Sequence, residues 1–380
     1  MKMLLVTNDF PPRAGGIEQY MLTLLNGLAP SEVIVVAPEC EGAREFDTAA
    51  EFEVIRLSAT RGRIWPSPSL ARYLARLAAT RDVDFVAFAS MLPLATLGPA
   101  ISRYSQLPFV IWHHGAELAG VGRLPGLRQS MAALARRSSL QFVVSEWTLG
   151  EARRLLGDSS PLRLLRAGVD LTKFNPRVDG SAIRRRYGIE DSLVVVCVGR
   201  LVPRKGQDTL IRVMPTLLKR HPDARLLIVG TGPSAKRLER LAELHGVMRE
   251  VHFTGVVESD YLPAHYAAGD IYASPIRTRK LGLEAEGLGV VFLEAAAMGL
   301  PIVAGRSGGT SEAIKDGLTG ILVDGTDDSE VVATLDRLLG DGELRHQMGD
   351  AGRRWMEEDF DKAGMAARFR EAIAEVMQIR

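Results

Sequence analysis

The clearest indication of fold and function lies in one stretch, Glu284-Ala-Glu-Gly-Leu-Gly-Val-Val-Phe-Leu-Glu294-Ala-Ala-Ala-Met-Gly-Leu-Pro301. Two carboxylates, Glu286 and Glu294, flank a Gly-x-Gly turn, and Glu294 lies on an apolar run that predicts a helix. Glycines ahead of a helix let backbone N–H groups approach a ligand, and a helix start favours an anion. The stretch therefore fits a nucleotide-sugar. The alternative is an ordinary strand-to-helix corner with two solvated glutamates.

Length and composition indicate a globular protein of two domains. The chain has 380 residues, of which 46% are hydrophobic and 24% charged. Its 47 Lys and Arg nearly balance 46 Asp and Glu, so no overall charge points to nucleic acid. Cys40 and Cys197 each lie in or beside an apolar run, which predicts buried free thiols in a reducing compartment.

The sequence predicts a cytoplasmic protein that is at most peripheral to a membrane. Its first residues do not have the pattern of a signal peptide. The longest uncharged run, residues 85–101, is too short to cross a bilayer and contains two prolines.

Short apolar runs alternate with helical ones along the whole chain, which predicts parallel sheets with helices on both faces. The predicted strands are Met3–Thr7, Val33–Ala37, Val54–Leu57, Phe85–Ala89, Phe109–Trp112, Leu140–Ser145 and Leu162–Leu165, then Leu193–Val198, Leu226–Val229, Val251–Thr254, Ile271–Ala273, Pro301–Ala304 and Gly320–Val323. The turn-rich segment 169–176 predicts a linker. We therefore predict an α/β fold of two doubly wound Rossmann-like domains, residues 1–169 and 170–357, whose parallel sheets face an interdomain cleft.

Ligands of open α/β sheets bind beyond the carboxyl ends of the strands, so the loops there are candidate sites. Gly15-Gly16 follows the first strand and precedes a helix, where backbone N–H groups could contact a phosphate, or where the chain simply turns. His114 follows a later strand and could hydrogen-bond a sugar hydroxyl, or it could be structural. Its neighbour His113 should point to the opposite side of the strand.

A cationic loop follows the first strand of the second domain: Gly199-Arg200-Leu-Val-Pro-Arg-Lys205-Gly-Gln-Asp208. Arg200 and Lys205 could neutralise a diphosphate without a metal ion, because arginine offers a planar fork and lysine a compact charge. Three cations in six residues also occur in solvated loops, which is the alternative.

Three further patterns favour other functions. Gly230-Thr-Gly232-Pro-Ser-Ala235 matches a relaxed dinucleotide-binding fingerprint, although the next predicted strand does not end in the acidic residue that the fingerprint requires. Asp82-Val-Asp84 and Asp359-Phe-Asp361 fit a D-x-D metal motif, but their positions predict surface caps. A helix over 121–137 places Leu127, Met131 and Leu134 on one face, which could contact an anionic bilayer or the core.

Taken together, these loops resemble the family 4 retaining glycosyltransferases of the GT-B fold, over the whole chain. The motifs that carry the resemblance are Gly15-Gly16, His114-Gly115, Arg200 with Lys205, and Glu286-x7-Glu294. Within that family, residues 8–17, 200–208 and 286–294 are similar to those of GDP-mannose-dependent phosphatidylinositol mannosyltransferases. The sequence departs from these at Ala116 and at Arg279-Lys280-Leu281.

The resemblance implies retaining transfer of a hexose, α-mannose from GDP-mannose, to a hydroxyl of a phosphatidylinositol mannoside-like glycolipid or another glycan acceptor. It implies no cofactor and no metal requirement, and a C-terminal helix at about 358–380 that packs back on the first domain. Alternatives are a transferase that uses a UDP-sugar for cell-wall or polysaccharide synthesis, and an NAD(P)-dependent oxidoreductase or nucleotide-sugar epimerase.

Site residues follow from the same resemblance. The implied catalytic residues are His114, Glu286, Arg200 and Lys205. His114 would face the transferred sugar, Glu286 its hydroxyls and Glu294 the ribose. The implied donor-binding residues are Gly15, Gly16, Arg200, Lys205, Val256, Val257, Glu286, Leu288, Gly289, Val290 and Glu294. Asp9 and Arg13 are the implied acceptor-binding residues.

Overall fold

The computed structural model describes residues 1–120 and 125–378. The chain divides into two compact units, Met1–Gly168 together with the helix that begins at Lys362, and Val169–Asp361. Each unit is a parallel sheet with helices, so the prediction of two doubly wound α/β domains is confirmed. Among the described residues, no helix combines the length and apolar character that crossing a bilayer requires.

The first unit contains a seven-stranded parallel sheet in the order β3-β2-β1-β4-β5-β6-β7. Its strands are β1 Met3–Val6, β2 Val33–Pro38, β3 Glu53–Leu57, β4 Phe85–Phe88, β5 Phe109–His113, β6 Leu140–Val143 and β7 Leu162–Leu164. Its helices among the described residues are α1 Gly16–Leu25, α2 Ala43–Ala49, α3 Pro68–Thr80, α4 Gly98–Ser105, α5 Ala116–Ala119, α6 Pro125–Ala135 and α7 Glu146–Leu156.

The second unit contains a six-stranded parallel sheet in the order β10-β9-β8-β11-β12-β13. Its strands are β8 Leu193–Val198, β9 Ala224–Val229, β10 Val251–Phe253, β11 Ile271–Ser274, β12 Ile302–Gly305 and β13 Gly320–Val323. Its helices are α8 Ser181–Tyr187, α9 Gln207–Leu217, α10 Ala235–Leu244, α11 Leu262–Ala267, α12 Val290–Ala297, α13 Asp328–Gly340 and α14 Gly342–Asp359, and α15 Lys362–Gln378 then returns to the first unit.

The central strands are continuous apolar runs because helices cover both faces of each sheet. All four residues of β1 and all six of β2 are buried. The register pairs Met3 with Val33 on one side and with Phe85 on the other. The core of the first unit therefore follows directly from the hydrophobic pattern.

Helix caps explain where predicted and observed boundaries differ. The strand predicted over Leu140–Ser145 ends at Val143, because the Ser145 hydroxyl accepts a hydrogen bond from Thr148 N–H (3.0 Å) and starts α7. Similarly, α14 begins at Gly342, since the Asp341 side chain accepts a hydrogen bond from Leu344 N–H (2.9 Å). Capping side chains thus determine where these helices begin, which the hydrophobic pattern alone does not show.

Burial decides which surface the apolar face of the helix predicted over 121–137 contacts, and it shows that one of the two cysteines was predicted wrongly. The first four residues of the helix predicted over 121–137 lie outside the described residues. In α6, Met131 and Leu134 are buried in the core of the first unit, so this apolar face meets the core rather than a bilayer. Both cysteines are free thiols, and Cys197 is buried as predicted. Cys40 is only half-buried, because it lies beyond the end of β2.

The C-terminal helix α15 is anchored on the first unit by aromatic packing. Phe369 is fully buried, with its ring 5.8 Å from Trp112 and 5.5 Å from Phe142, measured between centroids. Phe85 lies on another side at 6.3 Å. These rings come from β4, β5 and β6, so one side chain of the last helix joins three neighbouring strands.

We expect Phe369→Ala to destabilise the protein by about 3–5 kcal/mol, because the truncation leaves a cavity among three aromatic rings. Urea unfolding followed by circular dichroism measures the change. Glu371→Ala, at an exposed position of the same helix, is the matched control and should cost less than about 0.5 kcal/mol. Equal losses in the two variants would contradict this role of Phe369.

Candidate active site

The strand order of the second unit places its cationic loop beside its acidic segment. The order reverses between β8 and β11, which pair directly in the sheet. Such a switch point opens a crevice at the carboxyl ends of the two strands. The loop after β8 carries Arg200, Arg204 and Lys205, and the segment after β11 leads to Glu286 and α12.

A buried ion-pair cluster forms where these two segments meet. Glu286 is 9% exposed, and its Oε2 atom lies 2.9 Å from Lys205 Nζ and also contacts Arg204 Nη1. Burial disfavours the ionised carboxyl, but Lys205 and Arg204 outweigh that penalty and lower the pKa of Glu286 below its usual value. Glu286 is therefore ionised at neutral pH, with both cations on the same oxygen.

Glycines allow the backbone around Glu286 to pack closely. The Gly309 N–H donates to the Glu286 carbonyl (2.9 Å). Gly308 has φ +57°, and a Cβ atom there would overlap the same carbonyl oxygen. Gly289 has φ +89° and precedes the first turn of α12, as predicted for the helix start. A side chain at Gly308 would push the Glu286 segment out of place.

The second carboxylate, Glu294, lies in a different environment. It is 3% exposed on α12, and the Tyr266 hydroxyl donates to its Oε2 (2.7 Å). Burial raises the pKa of Glu294 to about 7, while the Tyr266 hydrogen bond and the charges of Lys173 and Lys205 act in the opposite direction. The two glutamates therefore differ in charge near neutral pH.

The other predicted donor-binding residues of this unit lie in the loops after β8 and β10 and at the start of α12. Arg200 is exposed in the loop after β8, and Val256 is 73% exposed beyond β10. Val257 and Val290 are half-buried, and Leu288 is buried. Lys205 and Glu286 are the two predicted site residues that the structure brings into direct contact, and the roles of all these residues stay predictions.

The dinucleotide-like glycines serve chain packing. A Cβ atom at Gly230 would overlap the Gly199 carbonyl, and one at Gly232 would overlap the Leu201 carbonyl. Leu201 N–H also donates to the Thr231 carbonyl (2.9 Å). The glycines therefore let this loop support the cationic loop, which accounts for the fingerprint without a dinucleotide.

In the first unit, the two adjacent histidines have different surroundings. His113 is buried and its Nε2 lies 2.9 Å from Gln141 Oε1, which indicates a structural residue. His114 is half-buried, and its Nε2–H donates to the Ala89 carbonyl (2.8 Å) beyond β4. Tyr20 of α1 packs edge-on against the His114 ring at 5.3 Å. The two histidine side chains thus have different hydrogen-bond partners, Gln141 of β6 and the Ala89 backbone.

The loop after β1 supplies the remaining predicted residues. Gly15 and Gly16 are exposed, and a Cβ atom at Gly16 would meet open space. The loop is anchored by buried Asn8, whose side chain exchanges two hydrogen bonds with the Ile64 backbone (3.1 and 2.7 Å). Arg13 Nη1 donates to the Asn8 carbonyl (3.4 Å), and Asp9 N–H donates to the Thr7 hydroxyl (2.9 Å).

The D-x-D motifs have structural partners. Asp84 Oδ2 accepts a hydrogen bond from Lys2 N–H (2.6 Å), at the amino end of the sheet, and Asp359 Oδ2 accepts one from the Trp355 indole (2.8 Å). Within residues 1–120 and 125–378, no group of three or more His, Cys, Asp or Glu side chains is arranged to hold a metal ion.

Sequence reasoning missed two residues that contact the predicted glutamates. Arg204 lies in the cationic loop, but its pairing with Glu286 joins segments 82 residues apart. Tyr266 lies 28 residues before Glu294 on α11. The sequence gives no indication of which residue a tyrosine in an apolar helix will contact. Arg204 could have been considered if the pairing of β8 with β11 had been predicted, because that pairing brings its loop beside the Glu286 segment.

Two family models match the chain: "Glycosyltransferase Family 4" over residues 14–173 and "Glycosyl transferases group 1" over residues 179–355. A GDP-mannose-dependent alpha-(1-6)-phosphatidylinositol monomannoside mannosyltransferase of Mycolicibacterium smegmatis is 42% identical, with 98% of each chain covered. Proteins of the same name from Mycobacterium tuberculosis are 38% identical, again with 98% of each chain covered.

Solved structures support the fold. The Anabaena protein HepE, crystallised with UDP and glucose, has a TM-score of 0.85 at 19% identity, covering 99% of this chain and 100% of its own. Sucrose-phosphate synthase from Thermosynechococcus elongatus has a TM-score of 0.81 at 20% identity, with both chains fully covered. At these identities the likeness shows the fold alone, which is GT-B.

The raised pKa of Glu294 predicts a pH-dependent effect of Glu294→Gln on stability. The carboxyl has an ordinary pKa of 4.5 when unfolded and about 7 when folded. Its favourable contribution is therefore complete below about pH 4.5 and is lost as the pH rises through 7. We expect Glu294→Gln to be more stable than the parent at pH 8, on the order of 2–3 kcal/mol, and similar to it at pH 5.

Urea unfolding at the two pH values measures this difference, with Glu243→Gln at an exposed position of α10 as the control. A Glu294→Gln effect of equal size at pH 5 and pH 8 would contradict the assignment of a buried, proton-retaining carboxyl.

Proposed function

Because this chain belongs to the family 4 glycosyltransferases, we propose that it transfers α-mannose from GDP-mannose to a hydroxyl of a phosphatidylinositol mannoside-like glycolipid. The similarity to mannosyltransferases named for that reaction, over nearly the whole chain, carries the proposal. The buried Glu286–Lys205 pair at the switch point of the second unit supports it, because a carboxylate beside cations suits a sugar linked to phosphate.

The second unit would bind the donor. Lys205 and the exposed Arg200 would hold the diphosphate, together with the start of α12 after Gly289. Both glutamate contacts with cations use Oε2 of Glu286, so Oε1 would accept hydrogen bonds from hexose hydroxyls. Glu294 would bind the ribose, and Val256 and Val257 would lie near the base.

The proposed reaction breaks the bond between the anomeric carbon and the phosphate oxygen and forms one to the acceptor oxygen. The acceptor's proton passes to the departing phosphate, and GDP leaves. GDP-mannose carries its sugar in the α configuration, so an α-linked product requires retention. We favour attack on the same face through an oxocarbenium-like state, with charge on the leaving diphosphate stabilised by Lys205 and Arg200 in place of a metal ion.

The first unit would bind the acceptor. We propose that His114 contacts the transferred sugar, that Gly15 and Gly16 contact the donor phosphate, and that Asp9 and Arg13 contact the acceptor. A glycolipid acceptor would bring the protein to a membrane surface, in line with the predicted peripheral position at the cytoplasmic face.

Mass spectrometry of the lipid products tests this function. GDP-, UDP- and ADP-sugars are offered with phosphatidylinositol monomannoside in the presence of EDTA, and we expect mannose to be added from GDP-mannose only. Lys205→Ala, Glu286→Gln and His114→Ala should each lower kcat/KM by at least about 100-fold. Lys219→Ala, an exposed lysine near the end of α9, is the control and should retain full activity.

Full transfer activity in all three variants would overturn the roles proposed for these residues, and the absence of any glycosylated lipid product from the parent would overturn the transferase assignment. Transfer from a UDP-sugar would support the polysaccharide alternative. Donor hydrolysis or epimerisation without an acceptor product would point to the epimerase alternative.

A further inference from the structure

Arg204 contacts Glu286, and the proposed function assigns no role to this contact. Arg204 lies in the short 3-10 turn Pro203–Lys205 and is half-buried. Its Nη1 atom contacts Glu286 Oε2, the same oxygen that Lys205 Nζ approaches at 2.9 Å. The arginine therefore shares one carboxylate oxygen with the lysine next to it.

The turn that carries both cations is held by β11 and the residues that follow it. Arg277 N–H donates to the Arg204 carbonyl (2.9 Å), and the Ser274 hydroxyl donates to the Lys205 carbonyl (3.0 Å). The Arg277 guanidinium is itself fixed on buried Asp208, with Nη2 at 2.8 and 2.6 Å from its two carboxylate oxygens. The position of Arg204 is thus set by the scaffold.

The charge of the cluster explains why two cations are present. One carboxylate and two cations leave one net positive charge for a ligand. With a single lysine, Glu286 would neutralise it, and a diphosphate would have to compete with the carboxylate for that lysine. Arginine suits the balancing role because its guanidinium stays charged and offers several donors in a fixed plane.

We propose that Arg204 is a positioning residue, which holds the Glu286 carboxylate by Oε2 and thereby leaves Lys205 to bind the donor diphosphate. The inference rests on the proposed function for the identity of the ligand. Arg204 itself touches Glu286 and need not touch the substrate.

Among the described residues, Lys205 and Arg204 approach Glu286 from the loop after β8, and the buried Tyr272 of β11 interacts electrostatically with it. Glu284 on its own segment interacts with Arg204. Removing Arg204 removes one of the two nearby positive charges, so the pKa of Glu286 should rise.

A double-mutant cycle with GDP as the probe tests the proposal. Titration calorimetry measures GDP binding by the parent, Arg204→Met, Glu286→Gln and the double variant. We expect Arg204→Met to weaken binding about tenfold, because Lys205 is then taken by Glu286. Glu286→Gln added to Arg204→Met should restore parent-like affinity, because it releases Lys205. A merely structural role would give additive losses, which would overturn the proposal.

The transfer reaction supplies a second measurement. In Arg204→Met the acid limb of the kcat/KM profile should move up by about one pH unit, and Arg204→Lys should restore most of the parent profile. Arg220→Met, whose side chain is 74% exposed, is the control and should change neither binding nor profile. Unchanged GDP affinity and an unchanged profile in Arg204→Met would also overturn the proposal, provided that circular dichroism shows the variant folded.

The measurements distinguish failure of the proposed function from failure of the proposed role of Arg204. If the parent binds GDP but transfers no sugar, the proposed function fails while the GDP cycle still decides the role of Arg204. If the parent does not bind GDP, the donor assignment fails, and the diphosphate-binding role of Lys205 fails with it.

Discussion

The Glu286 carboxylate is buried against two cations, and the rest of the second unit is arranged to hold these three charges together. A buried charge is costly unless it is paired and hydrogen-bonded. The pairing with Arg204 and Lys205 offsets this cost and leaves a net positive charge. That residual charge distinguishes the cluster from a structural ion pair, because a structural pair would be neutral. It makes the crevice suited to an anionic ligand that also carries hydroxyl groups.

The sheet topology brings the charges together, and glycines make the close approach possible. Because β8 and β11 are neighbours, a cationic loop and an acidic segment about 80 residues apart meet at one sheet edge. Gly308 then leaves room for the Glu286 carbonyl, and Gly230 leaves room for the cationic loop. The glycines of the dinucleotide-like fingerprint are therefore part of the support of the cationic loop. The second buried glutamate, Glu294, is held by a hydrogen bond from the Tyr266 hydroxyl.

Much of the fold and part of the candidate site could be predicted from sequence, because buried parallel strands are continuous apolar runs and the loops after them carry the polar residues. The strands, the fold class, the start of α12 and the occurrence of Lys205 and Glu286 at the same sheet edge all follow that logic. Arg204 and Tyr266 could not be assigned, because their partners are set by tertiary contacts. The apolar face of α6 was ambiguous because a core-facing and a membrane-facing helix share one periodicity. The half-burial of Cys40 depended on where β2 ends.

A crystal structure of the chain with GDP-mannose, or with its 2-fluoro analogue to slow turnover, tests the central claim most directly. We predict a hexose hydroxyl within about 3 Å of Glu286 Oε1. Arg204 should still contact Oε2, and Lys205 should have turned to a phosphate oxygen. A donor bound with its sugar away from Glu286, or with Lys205 still paired to the carboxylate and the diphosphate held elsewhere, would contradict the claim.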